Sequence, residues 1–402
     1  MLRQKCNNSH MRTIIELYDE RPVENILSTE VFRPERTIIL CDREIYQNKS
    51  LQSKMRRFLR HRGIESKLVF LQTEIYDTER ILAKLNAVIK RYPDCVLDIT
   101  GGTDAALFAG GLICAKTNLP AFTYSRKRNR FFNIHNAAFA DGLECHVKYS
   151  VEDCILAAGG AMRTGRVDNS LLYKYAEHFD EFFSIYLKYK SSWTKTIGFI
   201  QRASAAGKDE PISLSVRSAY EVKGERGSLI PAPEDALREF ERIGFIKHLS
   251  IKRGKSVSFR FKDAQTRAWL RDVGSVLELY IYKQCLDCGV FQDVRTSVIV
   301  DWEGDLRREN VTNEIDVMAS RATIPIFISC KTCAITTEAL NELAVLRDHF
   351  GGKFAKAVAV TSQRCRSITR HRASELNIKI LDIDDLKQKR AGELLASEML
   401  RD

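Results

Sequence analysis

The first 150 residues alternate short apolar runs with longer amphipathic stretches. Positions 12–18, 37–41, 67–71 and 95–100 are strand-length and rich in Ile, Val and Leu, whereas 49–62 and 78–91 repeat apolar residues at helical spacing. Such alternation predicts a parallel sheet covered by helices on both faces, a doubly wound α/β domain. Two further apolar runs, 119–125 and 130–134, predict a terminal hairpin.

From 151 to 263 the pattern changes. A helical stretch over 170–189 gives way to a polar region punctuated by Gly224, Gly227, Pro231 and Pro233. A helix over 234–243 and strands at 245–251 and 256–261 follow, with Arg253-Gly254-Lys255 at the turn. One helix before a β-hairpin predicts a helical, winged-helix-like connector. Beyond 264 the order is helix (274–284), three strands (293–300, 312–319, 325–331), helix (338–350) and strand (355–361), a second α/β domain. The expected division is therefore 1–150, 151–263 and 264–402.

At 402 residues the chain exceeds one ordinary core, which agrees with several domains. Hydrophobic residues at 44% and charged residues at 29% are an ordinary globular balance. No run approaches the roughly 20 apolar residues of a membrane span, and residues 1–10 are too polar for a secretory leader. A cytoplasmic location without membrane partners is expected, with the eleven cysteines as reduced thiols. The pairs Cys285/Cys288 and Cys330/Cys333 have C-x-x-C spacing but lack the turns of a zinc knuckle. The net charge of +11 favours a polyanionic partner. Clusters at Arg126, Lys127, Arg128 and Arg130, and at Arg364, Arg366, Arg370 and Arg372, point the same way.

Two segments carry candidate chemistry. In Asn313-Glu314-Ile315-Asp316-Val317 the acids alternate with apolar residues, so both carboxylates leave one face of a strand. The next apolar strand ends in Ser329-Cys330-Lys331. Carboxylates suit a hard divalent cation, and a lysine beside them suits the charge of phosphodiester hydrolysis. Near the N-terminus, Asp98-Ile99-Thr100-Gly101-Gly102-Thr103-Asp104 lies between a strand and a small-residue helix. Glycines there let backbone N–H groups approach an anion at a helix N-terminus. The spacing is neither a dinucleotide fingerprint nor a Walker A loop.

The C-terminal part resembles the PD-(D/E)xK nuclease superfamily: Glu278 on a helix, Glu314 and Asp316 on a strand, Lys331 on the next. The loop at Thr100–Thr103 looks like the ligand loop of CARF domains, the CRISPR-associated Rossmann-like sensors. Together with the connector, nearly the whole chain resembles the stand-alone, cyclic-oligoadenylate-activated nucleases of type III CRISPR systems. The resemblance implies a Rossmann-like CARF domain and a restriction-endonuclease-like domain. It implies a homodimer that binds cyclic tetra-adenylate and cleaves DNA, or RNA, with Mn²⁺ or Mg²⁺. Asp316, Glu314 and Glu278 would hold the metal with the Cys330 carbonyl, and Lys331 would act as base or stabiliser. Asp19, Arg21, Asn25, Thr100, Gly101, Gly102, Thr103 and Asp104 would bind the cyclic nucleotide.

One position departs from that pattern. Ser329 stands where the superfamily places an acid, and a serine hydroxyl is a poor Mg²⁺ ligand. Glu314 or Glu278 is expected to replace the missing carboxylate, with Glu338 as the alternative. A dead centre would leave a different protein, a nucleotide-sensing, DNA-binding transcription regulator.

Overall fold

The computed structural model describes residues 12–401 except 21, 164–168, 170, 206–212, 225–226, 305–309 and 353. The N-terminal sheet contains β1 (Thr13–Leu17), β2 (Arg36–Cys41), β3 (Lys67–Gln72), β4 (Cys95–Asp98), β5 (Ala121–Ser125) and β6 (Arg130–His135) in the order β3-β2-β1-β4-β5-β6. All neighbours are parallel except β5 and β6. Alternation along the strands feeds two cores. Ile15, Leu17, Ile38 and Leu97 meet the helices Thr78–Arg91 and Asp104–Thr117 on one face. On the other, Ile14 and Phe122 meet Leu27 and Phe32, while Ile39 meets the helix Lys49–His61.

The next strand, β7 (Ala161–Arg163), falls within the segment expected to be connector, yet it pairs with a strand of the C-terminal sheet. The helical stretch expected over 170–189 is shorter. Two 3₁₀ turns, Leu172–Lys174 and Ala176–His178, precede the helix Phe179–Lys188. After a further helix, Trp193–Ala203, come three strands, β8 (Ser215–Ala219), β9 (Glu221–Lys223) and β10 (Leu229–Pro231), then the helix Glu234–Arg242 and the hairpin β11 (Ile246–Lys252) and β12 (Ser256–Phe261). Strand β8 adds to that hairpin, giving a sheet β11-β12-β8 against the helix.

The C-terminal sheet completes the chain with β13 (Asp293–Asp301), β14 (Thr312–Arg321), β15 (Ile324–Lys331), β16 (Lys356–Thr361) and β17 (Lys379–Leu381), ordered β17-β16-β15-β14-β13-β7. One face, with Val317, Ile328, Cys330 and Val360, packs on Leu277 and Ile281 of the helix Ser275–Asp287. The same core continues into the connector through Phe182, Trp193, Phe245 and Trp269. The opposite face, with Met318, Phe327 and Ala359, packs on the helix Thr337–Gly351 and reaches Met55 and Phe58 of the N-terminal domain.

Arginines lock that junction. Arg57 donates to the carbonyls of Gly304, Gly159 and Gly160. Arg62 bridges Glu30 at 2.7 Å and Asp153 at 2.9 Å. Among the described residues no helix is long and apolar enough to cross a membrane.

Candidate active site and sensor loop

Strands β14 and β15 pair only from Val317 opposite Ile328 to Arg321 opposite Ile324. Beyond that point they fork, and a side chain takes over from the ladder. Asp316 Oδ2 accepts the Cys330 N–H at 2.6 Å, the Ser329 hydroxyl at 3.2 Å and Lys331 Nζ at 3.3 Å. On the other side, Thr296 Oγ1 donates to the Asp316 carbonyl at 2.8 Å. The residue next to it, Ser297, is in the left-handed region with φ 51°. This is a local kink in β13 beside the fork.

The fork opens into a cavity of about 300 Å³. Glu314, Asp316, Ser329, Lys331 and Glu342 supply its polar lining, above Leu343 and Leu346. Ser329 and Lys331 alternate with Cys330, whose thiol is buried in the opposite core. The Cys330 carbonyl leaves the same strand edge as its N–H, toward the fork. Serine at 329 fits this arrangement, because it donates to Asp316 where a carboxylate would repel it.

Two charges are shifted here. Burial, then the negative fields of Asp316, Asp272 and Glu314, push the Glu278 carboxyl up to about 8. Burial alone would lower Lys331, but the adjacent Asp316 overrides it and the ammonium is held above its ordinary value. Among the described residues no group of three or more His, Cys, Asp or Glu side chains stands close enough to hold a metal ion. The charges nonetheless fit a divalent cation. Glu278 is raised by burial and by the fields of Asp316, Asp272 and Glu314, a repulsion a cation would relieve.

Glu338, the alternative acid, is exposed at the start of its helix with its carboxyl turned to Thr336 and its own backbone. Glu342, one turn later, lines the cavity and accepts from Asn313 Nδ2 at 2.9 Å. The signal for it was in the sequence: one helical turn past Glu338 is the same helix face.

In the N-terminal domain the glycine loop sits where β1 and β4 end. A Cβ at Gly101 would lie 2.7 Å from Asp19 Cβ, and one at Gly102, where φ is +119°, 2.8 Å from Leu17 Cβ. Only glycine allows that approach. The Gly102 N–H donates to Asp19 Oδ2 at 3.1 Å, so a carboxylate already takes one of the amides. Thr103 caps the helix Asp104–Thr117, accepting from Ala106 N–H at 3.2 Å and donating to the Ile75 carbonyl. Asp19, Gly102 and Thr103 line a cavity of about 410 Å³ together with Tyr18, Glu20, Asp42, Glu44 and Tyr76.

The remaining expected ligand residues occupy other places. Asn25 is buried, with both side-chain atoms bonded to the Asp19 backbone at 2.8 and 2.6 Å. Thr100 Oγ1 accepts the Tyr124 N–H at 2.8 Å. Asp104 is exposed in the first turn of its helix. Arg21 lies outside the described residues.

Tyr124 leads into a larger cavity of about 700 Å³, lined by Arg126, Lys127, Arg128, His146, Lys148 and Arg321, with no carboxylate among the described lining residues. Arg126, itself nearly buried, pairs with Glu24 at 3.2 Å and stacks on Phe354 of the C-terminal domain at 5.0 Å. Below the loop, Glu16 and Asp98 are fully buried cross-strand neighbours. Burial and then Asp98 push Glu16 well up, and burial pushes Asp98 to about 6.

Two six-stranded α/β sheets and the smaller sheets between them thus form the chain, and part of it matches a described family model. Residues 265–394 match the family model of the Card1-like endonuclease domain. No curated protein matches the sequence. Among solved structures, protein VC1899 from Vibrio cholerae shares the fold with a TM-score of 0.74, at 16% identity over 96% of this chain and 97% of its own. Can2 from Sulfobacillus thermosulfidooxidans, solved with cyclic tetra-adenylate, has a TM-score of 0.69 at 15% identity over 98% of both chains. The similarity to both is one of fold.

Proposed function

We propose that this protein is a cytoplasmic, cyclic tetra-adenylate-activated nuclease of type III CRISPR defence that hydrolyses phosphodiesters with Mn²⁺ or Mg²⁺. DNA is the proposed substrate, nicked when supercoiled and cut when single-stranded, with RNA as a second polymer. The observation that carries the reading is Asp316 and Lys331 meeting at a forked strand pair inside a segment matching an endonuclease model.

Asp316, Glu314, Glu278 and the Cys330 carbonyl would hold the ion, which when bound supplies Lewis-acid activation of water and phosphate. Asp316 holds the Lys331 ammonium above its ordinary value, which favours a role in charge stabilisation at the scissile phosphate. Ser329 orients Asp316, and Glu342 stands across the cavity, where it can orient an attacking water.

The ring would bind at the glycine loop. Because the nearer cavity is acidic, we assign the countercharge for its phosphates to the basic cavity at Arg126, Lys127 and Arg128. A homodimer is supported by the helix Asp104–Thr117, where Phe108, Gly111, Leu112 and Ala115 form an apolar stripe at helical spacing and Phe108 is 63% exposed. Differential binding to a closed dimer would supply the switch.

The test is a plasmid assay with Mn²⁺ and cyclic tetra-adenylate. Nicking that needs both and stops with chelator supports the proposal. Inert plasmid, with ring-dependent duplex binding instead, would favour the transcription regulator.

A further inference from the structure

The three-stranded sheet of the connector has one face in the core and one in solvent. Val216, Ile246, Val257, Phe259 and Phe261 point inward. The register places Lys247 opposite Arg260, Arg217 opposite Ser258 and Lys252 opposite Ser256 on the outer face. Serines and one alanine fill its other paired positions, and among the described residues no carboxylate stands at a paired outer position. Exposed His248 sits in the bulge between Lys247 and Ser250, and beside the bulge Glu241 accepts the Leu249 N–H at 2.8 Å.

Arg217, Lys247, Lys252 and Arg260 are all exposed. Among the described residues none of the four has an ion-pair partner, and Arg260 reaches only the Ser215 hydroxyl at 3.5 Å. Several basic residues elsewhere on the connector are paired, Arg242 with Glu181 and Glu239, Lys188 with Glu239, and Arg253 with Glu234, while Lys195, Lys223 and Arg238 form no ion pair among the described residues. A merely solvated face would mix signs as those surfaces do. Protection of a sheet edge would put charge on the outer strands, yet Arg260 lies on the central strand β12.

Lys247 stands directly opposite Arg260 at about 5 Å, Arg217 is diagonal to Arg260 at about 7–8 Å, and Lys252 lies at the far end of the same face. Such a grid of ammonium, guanidinium and hydroxyl donors suits a sugar–phosphate backbone. The sheet is also joined to the proposed site through the chain and the core. Strand β12 runs into the helix Ala264–Trp269 and then the helix that carries Glu278, and Trp269, Leu277 and the inner face share one core.

We propose that this outer face binds the sugar–phosphate backbone of the nucleic acid outside the scissile site and holds the strand that the fork cuts. The inference rests on the nuclease reading given above. It is tested by fluorescence anisotropy of the full-length protein with labelled single-stranded DNA and, separately, RNA across a salt series in chelator.

Arg217→Ser with Arg260→Ser should weaken binding about tenfold and lower the log–log salt slope by about 1.4, two phosphate contacts' worth. In the cleavage assay KM should rise with kcat unchanged. Arg217→Lys with Arg260→Lys should restore the slope. Unchanged affinity and slope with both polymers overturn the proposal, as does a loss the lysine pair fails to restore. Wild-type protein that binds neither polymer removes the nuclease reading itself, a different failure.

Discussion

Asp316 Oδ2 accepts the Cys330 N–H at 2.6 Å, at the level where β14 and β15 have stopped pairing. The bond replaces a ladder contact with a side chain and leaves the Lys331 ammonium 3.3 Å from the same oxygen. A strand that ends this way exposes backbone and charge together, which suits binding of a phosphate and a cation.

Replacing Lys331 by alanine should cut kcat by about 10²–10³, the scale of losing one preorganised charge at a transition state. Ligand affinity of the N-terminal domain should stay at the wild-type value by calorimetry. Asp316→Ala should be at least as damaging, and it also leaves Ser329 and Cys330 N–H without their acceptor.

The Glu278 carboxyl, raised to about 8, gives a pH dependence whose sign is fixed. Its proton must leave before the oxygen can hold a cation, so apparent Mn²⁺ affinity should rise as pH rises from 6.5 through about 8. Glu278→Gln should flatten that rise. Titrating Mn²⁺ binding at several pH values checks it.

The buried pair Glu16 and Asp98 makes an independent statement about stability. Both carboxyls are raised, so the folded state binds more protons than the unfolded chain. Their stabilising contribution is complete below about pH 4 and is lost as pH rises, through about 6 for Asp98, with the raised Glu16 acting in the same direction. Glu16→Gln should raise Tm at pH 7.5 and reduce the gap between pH 5 and pH 7.5. Thermal melts of the two proteins measure both.

The glycine loop should separate activation from chemistry. Thr103→Ala with Asn25→Ala removes a helix cap and both bonds that hold the Asp19 backbone, so ring-dependent activation should be lost. Gly101→Ala drives a Cβ into Asp19 and should cost about 1–3 kcal/mol of stability. Activation curves against ring concentration, beside denaturant melts, distinguish the two.

The stripe at Phe108 predicts assembly. Phe108→Glu should convert a dimer to a monomer by light scattering and abolish the ring response.

Much of this was legible in the chain, because buried parallel strands and forked acidic strands have strong local patterns. The runs at 37–41 and 67–71 are strands, the first interior and the second at the sheet edge, and Glu314, Asp316 and Lys331 do share one cavity. Strand β7 was not legible: three residues carry no periodicity, and only pairing with β13 makes them a strand. Strand β8 was hidden by its exposed Ser and Arg positions, since half of a two-faced strand reads as loop. Glu342 was missed because its neighbour Glu338 looked as well placed until the helix set its start. Asn25 looked like a ligand donor but is spent holding its own loop.

Anomalous scattering from crystals soaked in Mn²⁺ tests the proposed centre most directly. The account predicts a peak in the fork between β14 and β15, within coordinating distance of Asp316 and a second carboxylate, and no peak in Asp316→Ala crystals. An ordered fork with no manganese, or manganese bound only elsewhere, would contradict it.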